Sequence, residues 1–174
     1  MEKKFILTDK FVINSFGIKL FQIKCTKSFK YAQKGDFGGY VEKEGNLDQK
    51  NDAWVSGNAW VSGNARVFGN ARVSSDAWVS GNALVSGNAW VSGDADIEND
   101  NEHCGFDGFG SCNRHTHAYM TKEKKVEIIC GCFRGSIEEF ENKVEETHSG
   151  TVYEKQYKSI INVIKIKFGL TDFT

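Results

Sequence analysis

The 174 residues contain no proline, an unusual want in a chain so rich in turns, though by itself it points to no function. Nor is there a run of the roughly 18 apolar residues that a membrane-crossing helix needs, so no membrane association is expected. The formal charge is −1, and without global basicity nothing indicates a nucleic-acid partner. Lys3, Lys4, Asp9 and Lys10 interrupt the first thirteen residues, which excludes the apolar centre of a signal peptide. Five cysteines, an odd number with no such signal, then read as reduced thiols, and the expected location is the cytoplasm. Histidine is scarce and late: none occurs before His103.

Charge is unevenly spread. Residues 1–35 carry eight Lys against Glu2 and Asp9, a balance of +6. Residues 36–101 carry ten acids against Lys43, Lys50, Arg66 and Arg72, a balance of −6. Such a basic head either packs on the acidic middle or meets an acidic partner, and packing is the preferred expectation.

A six-residue period dominates the middle of the chain. From Asp52 to Ile97 it reads DAWVSG, NAWVSG, NARVFG, NARVSS, DAWVSG, NALVSG, NAWVSG, DADI. Val55, Val61, Val67, Val73, Val79, Val85, Val91 and Ile97 recur at that period, each with Ala two residues earlier. Two residues apart on a strand is the same face, so Ala and Val both point inward and the residue between them points out. Gly-Asn supplies the corner, because both tolerate the left-handed backbone cheaply. A helix is excluded: six does not fit a period of 3.6, and glycine at every sixth position would break it. Each hexad is therefore one short strand and one corner. Three sides close a triangular coil of eighteen residues, and about three coils stack with strands ~4.8 Å apart.

The V-S-G-N-A-x unit resembles the hexapeptide repeat of left-handed parallel β-helix proteins, a superfamily that includes many trimeric acyltransferases. The left hand is implied by that resemblance. The lead-in Lys34-Gly-Asp-Phe-Gly-Gly-Tyr-Val-Glu-Lys-Glu-Gly-Asn-Leu47 resembles the entry segment of hexapeptide proteins encoded by bacteria, prophages and phages. Val41 and Leu47 keep the period, while Leu47 to Val55 is eight residues and predicts a two-residue bulge at one corner. The tail, Cys130-Gly-Cys-Phe-Arg-Gly-Ser-Ile-Glu-Glu-Phe-Glu with Val144 and His148, resembles a small module of phage-encoded proteins.

The expected fold is mainly β: a short left-handed parallel β-helix at 41–101, an N-terminal β cap at 1–40, and a C-terminal α+β module at 102–174. In the cap, strands are predicted at Phe5–Leu7, Phe11–Ile13 and Ile18–Lys24 around a turn at Asn14–Gly17. Beyond the coils, Gly105–Gly110 reads as a loop and Lys124–Cys132 as a strand. Ser136 and Glu139 form a capping box for a helix to His148, with Ile137, Phe140 and Val144 on one face. A second helix, about Val152–Phe168, places Tyr153, Tyr157, Ile160, Ile161, Ile164 and Phe168 on one stripe, expected to be core.

The outward residues fall into columns: Trp54, Arg72 and Trp90 on one side, Trp60, Trp78 and Asp96 on the second, Arg66 and Leu84 on the third. Four outward tryptophans are a large apolar exposure unless something covers them. The cover is the chain's own ends, a sister subunit or a foreign protein. Trp54, Trp60, Arg66, Phe68, Arg72, Trp78, Leu84 and Trp90 are thus the candidate binding surface.

The leading functional expectation is a non-enzymatic binding or scaffold protein with a protein partner, a bacterial host macromolecule, and a dimer or trimer as the homo-oligomer to test for. The phage-type resemblance implies inhibition of a host defence system, in the manner of an anti-CRISPR. A hexapeptide acyltransferase with an acyl-CoA donor is the alternative. Its base would come from His103, His115, His117 or His148, none of which lies in a motif of those enzymes. No cofactor is expected. A small zinc module is the third reading, with Cys104, Cys112, Cys130, Cys132 and His148 as ligands and His115 and His117 nearby. Cys130-Gly-Cys132 is too tight, and Cys104 to Cys112 too wide, for the usual zinc pair. A Cys–His nucleophile would need an exposed thiol in electropositive surroundings.

Overall fold

A computed structural model of the chain describes residues 2–171. Two compact units emerge, one ending at Asp100 and the other starting at Asn101. The N-terminal strands are therefore part of the same unit as the coils.

That unit opens with β1 (Phe5–Ile13), β2 (Lys19–Cys25) and β3 (Phe37–Val41). The two strands expected before Asn14 are one strand, irregular in register between Leu7 and Phe11. At the β1–β2 turn the Asn14 side-chain oxygen accepts from the amides of Phe16 (3.0 Å) and Ile18 (2.9 Å). The turn thereby holds Phe16 outward, 81% exposed.

The repeat supplies eight two-residue strands: β4 (Trp54–Val55), β5 (Trp60–Val61), β6 (Arg66–Val67), β7 (Arg72–Val73), β8 (Trp78–Val79), β9 (Leu84–Val85), β10 (Trp90–Val91) and β11 (Asp96–Ile97). All pair in parallel, each with the strand eighteen residues on: Val55 with Val73, Val61 with Val79, Val67 with Val85. The backbone bonds run from coil to coil, as from Trp54 N to Ala71 O (3.0 Å) and from Ser56 N to Val73 O (2.9 Å). The inward Val residues, Ile97 and every repeat Ala are buried. Burial of one such Val side chain stabilises by about 1.5–3 kcal/mol, so this column is the unit's principal apolar core.

The expected insertion is visible in the register. Val41 pairs with Val61 and Leu47 with Val67, both twenty residues apart, whereas every pairing after it is at eighteen. The two extra residues lie between Leu47 and Val55, and the N-terminus grips them. Lys4 Nζ donates to the carbonyls of Lys50 (3.2 Å), Asn51 (3.2 Å) and Ala53 (2.7 Å). Gln49 Oε1 accepts from the amides of Lys4 (2.8 Å) and Phe5 (3.2 Å). Lys3 pairs with Glu44 at 2.8 Å, so part of the basic head does pack on the acidic middle. β3 reaches the coils because Gly38 and Gly39 lack side chains; a Cβ on either would come within 2.8 Å of Val55 or Ala59 atoms.

Corners take the left-handed backbone, as at Gly63 (φ 65°) and Gly69 (φ 69°). Ser75 occupies the equivalent position at φ 61° without being glycine. Outside the corners, amides ladder from coil to coil: Asn64 Nδ2 donates to Asn82 (3.2 Å) and Asn70 to Asn88 (3.3 Å).

The second unit is an antiparallel sheet in the order β12 (His103–Phe109), β13 (Arg114–Met120), β14 (Val126–Cys130), β15 (Phe133–Ser136), followed by α1 (Ile137–His148) and α2 (Val152–Lys167). Gly105–Gly110, expected as a loop, lies mostly within β12. Pairing with β13 overrides the glycines, and Phe106 and Phe109 turn toward the core. The strand expected at Lys124–Cys132 forms as β14, shorter at both ends, and Gly131 (φ 62°) then reverses the chain into β15, which was not expected. Both helices form as expected. The Ser136–Glu139 capping box closes α1, and Thr151 caps α2. Phe140, Val144, Tyr157, Ile160, Ile161 and Ile164 form one core with Ala118 and Ile128. Tyr153 and Phe168, expected on the same stripe, are only half-buried. No helix among the described residues is long and apolar enough to cross a membrane.

Candidate interaction surface

The outward columns stack as the eighteen-residue coil requires, and the three faces differ sharply. On the first, the chain covers its own aromatics. The Phe29 ring meets Trp54 edge-on at 5.3 Å, and Trp54 is 4% exposed. Arg72 lies with its guanidinium carbon 4.8 Å from the Tyr31 ring and 4.7 Å from Trp90. Trp90 Nε1 donates to Ser74 Oγ at 3.2 Å. Trp54 is therefore withdrawn from the candidate surface, and Arg72 is held between two rings. The reason is a long-range contact from residues 29–31, invisible to a column count.

The second face carries a stacked aromatic pair. Trp60 and Trp78 stack at 4.9 Å with their planes 7° apart, and both are half-exposed. They floor a groove of about 300 Å³ whose other walls are Asn14, Phe16 and Ile18 from the β1–β2 turn. Asp96 and Glu98 are also among the residues that line it. The columns alone do not reveal Phe16 and Ile18. The available signal was an apolar residue, Phe16, set in a turn between two strands.

The third face is smaller. Arg66 is exposed and sits 5.6 Å from the Phe68 ring, and Leu84 is 41% exposed. It offers scattered contacts rather than a concave site.

The candidate bases and metal ligands all lie in the second unit. His115 Nδ1 is 2.8 Å from Asp107 Oδ1, and His115 Nε2 is 3.4 Å from His117 Nδ1. His117 is buried, with no partner for Nε2. Burial, then the neighbouring His103 and His115, pushes its pKa well below the usual imidazole range, so it stays neutral. His148 instead stacks on Tyr157 at 5.5 Å. Burial raises the Cys104 thiol to about 11, the opposite of an activated nucleophile. Cys130 accepts from Thr116 Oγ1 at 3.3 Å in the core, while Cys112 and Cys132 are exposed. Among the described residues no three His, Cys, Asp or Glu side chains are placed to hold one metal ion.

The coils define a β-solenoid repeat protein of about three turns, with flanking strands and two C-terminal helices. A family model described as the YdcK beta solenoid repeat matches residues 59–75, 65–81 and 77–93, all within the coils. No curated protein matches the chain.

Proposed function

We propose that this chain is a non-enzymatic binding protein of phage or prophage type, and that the Trp60–Trp78 groove is its main protein-contact surface. Its target is a protein of the bacterial cytoplasm, and inhibition of a host defence system, as by an anti-CRISPR, is the role the phage-type resemblance supports. The observation that carries the reading is the stacked tryptophan pair. Neither indole contributes to the prism interior, both are half-exposed, and they floor a concave site beside an 81%-exposed phenylalanine. Tryptophan is among the residues that most often dominate binding energy, worth ~2 kcal/mol or more at a hot spot. A hexapeptide acyltransferase would want a base beside its coils, and residues 53–97 contain no histidine.

The test is the paired variant Trp60→Ser with Trp78→Ser, compared with wild type by light scattering and by capture of bacterial proteins. A contact surface gives a folded variant that has lost either its oligomer or its captured partner. A folded variant with unchanged mass and unchanged partners defeats the proposal. Acetyl-CoA binding abolished by a His→Ala change would replace it with the acyltransferase reading.

A further inference from the structure

We propose that His115 and His117 form a two-histidine site for a zinc ion, bound through His115 Nε2 and His117 Nδ1. Both stand on β13, two residues apart and therefore on one face of the sheet. The two nitrogens lie 3.4 Å apart. That is long for a hydrogen bond from a ring N–H, which prefers about 2.9–3.0 Å. It suits two ligands of one tetrahedral ion: with Zn–N bonds of about 2.0–2.1 Å, the nitrogens stand about 3.3–3.4 Å apart. A square-planar ion such as copper(II) would draw them in to about 2.8–3.0 Å.

The neighbours prepare the pair for an ion. Asp107 Oδ1 is 2.8 Å from His115 Nδ1. A carboxylate only accepts, so the His115 proton sits on Nδ1 and the lone pair on Nε2, facing His117. A carboxylate behind a ligating imidazole is the usual support of a zinc histidine, fixing its tautomer and raising its basicity. The His117 ring packs against those of His103 and Tyr119, with centroids 5.3 and 6.0 Å away, which holds its plane. Its Nε2 has no hydrogen-bond partner among the described residues, so nothing there opposes the tautomer whose lone pair is on Nδ1. Gly105 supplies the room. It lies opposite His117 in the β12–β13 ladder, and a Cβ on it would come 2.9 Å from His115 Nε2 and 3.1 Å from His117 Nδ1. Its φ is outside the left-handed region, so the backbone there does not call for glycine, whereas the space beside the two nitrogens does. The donor set points to zinc, because neutral imidazole suits it, while calcium and magnesium want oxygen. No core thiol takes part, since Cys104 and Cys130 belong to the core shared with α1 and α2. His115 is 15% exposed, so the ion reaches it from solvent. Two protein donors, rather than three or four, leave the remaining positions to water and limit the affinity to roughly the micromolar range.

The test uses the full chain, stripped of metal with a chelator and titrated with zinc chloride by calorimetry. Cobalt(II) then replaces zinc, since its visible absorption distinguishes a tetrahedral site from an octahedral one. One ion per chain and a tetrahedral cobalt spectrum are expected. His115→Ala and Gly105→Ala should each abolish binding, the first by removing a donor and the second by filling the space. Asp107→Ala, at a side chain 60% exposed, should weaken binding by about tenfold or more and leave the fold intact. Helical circular dichroism checks the fold of each variant, and Asp107→Ala decides the matter if either of the others does not fold. The exposed thiols are the rival ligands, so Cys112→Ser with Cys132→Ser should bind zinc as the wild type does. Binding lost in that cysteine variant, full affinity in His115→Ala or Asp107→Ala, or an octahedral cobalt spectrum would each overturn the proposal. So would the absence of any binding at about 1 mM zinc.

Discussion

Val73 is where the prism can be tested most directly. It is fully buried and sits in the middle of its column, paired with Val55 on one side and Val91 on the other. Val73→Ala removes two carbons, about 1.6 kcal/mol at ~0.8 kcal/mol per buried methylene. The strand cannot collapse into the space, because Ser56 N and Ser74 N tie it to both neighbouring coils through Val73 and Val91 carbonyls at 2.9 and 3.0 Å. A cavity contribution therefore adds to the transfer cost, and the total is about 2–3 kcal/mol. Val73→Asp is far worse. An unpaired carboxylate among Ala and Val loses several kcal/mol of solvation, comparable with the whole stability of a domain. Equilibrium urea unfolding followed by tryptophan fluorescence is the assay, since all four tryptophans lie between residues 54 and 90 and report this unit alone. Helical circular dichroism reads the other unit, which holds both α1 and α2. A Val73→Asp chain that unfolds at the wild-type midpoint would show that Val73 faces outward, and the register argument would fail with it.

Two further outcomes follow from the caps and corners. Burial pulls the Lys4 ammonium down from 10.5 to about 8 despite nearby Asp48 and Asp52. Between those values the unfolded chain holds more protons than the folded one, so stability rises with pH from about 8 to 10.5. Relative to Lys4→Met the gain across that window is roughly 1–3 kcal/mol, and parallel pH–stability curves would refute it. Ser75→Gly relieves a non-glycine left-handed corner and is expected to stabilise by about 0.5–1 kcal/mol, whereas Gly69→Ala should cost about 1–2 kcal/mol. Equal and opposite signs from those expected, read from thermal midpoints, would mean that the corners are not strained as the angles imply.

The coils were legible in the sequence because every hexad repeats the same local rule. Even the two-residue insertion before Val55 could be counted without coordinates. The C-terminal helices were legible through Ser136, Glu139 and their apolar stripes. β12 and β13 were not. Gly105 and Gly108 mask the first, and the second alternates Thr116 and Ala118 with His117 and Tyr119, a pattern with little hydrophobic contrast. Gly105 has its own reason, since a Cβ there would lie 2.7 Å from the His115 ring. At the candidate surface, the columns placed every outward tryptophan correctly. They could not say that Phe29 would close over Trp54 while Phe16 stood back from Trp60 and Trp78. Both outcomes depend on pairings between residues far apart in the chain, and no periodicity encodes those.

The threefold cross-section also restricts how this protein can change length. Losing or gaining one hexad keeps Val inward and keeps a corner at every sixth residue, so the coil still closes. Yet every downstream outward residue moves round by one face: a hexad gained between Trp78 and Trp90 takes Asp96 out of the tryptophan column and brings Trp90 into it, whereas a hexad lost there moves Trp90 onto the face of Arg66 and Leu84. Only insertions or deletions of eighteen residues preserve which side chains share a face. A lineage that selects for a surface on one side should therefore lengthen or shorten by whole turns, whereas one that selects only for the rod can drift six residues at a time.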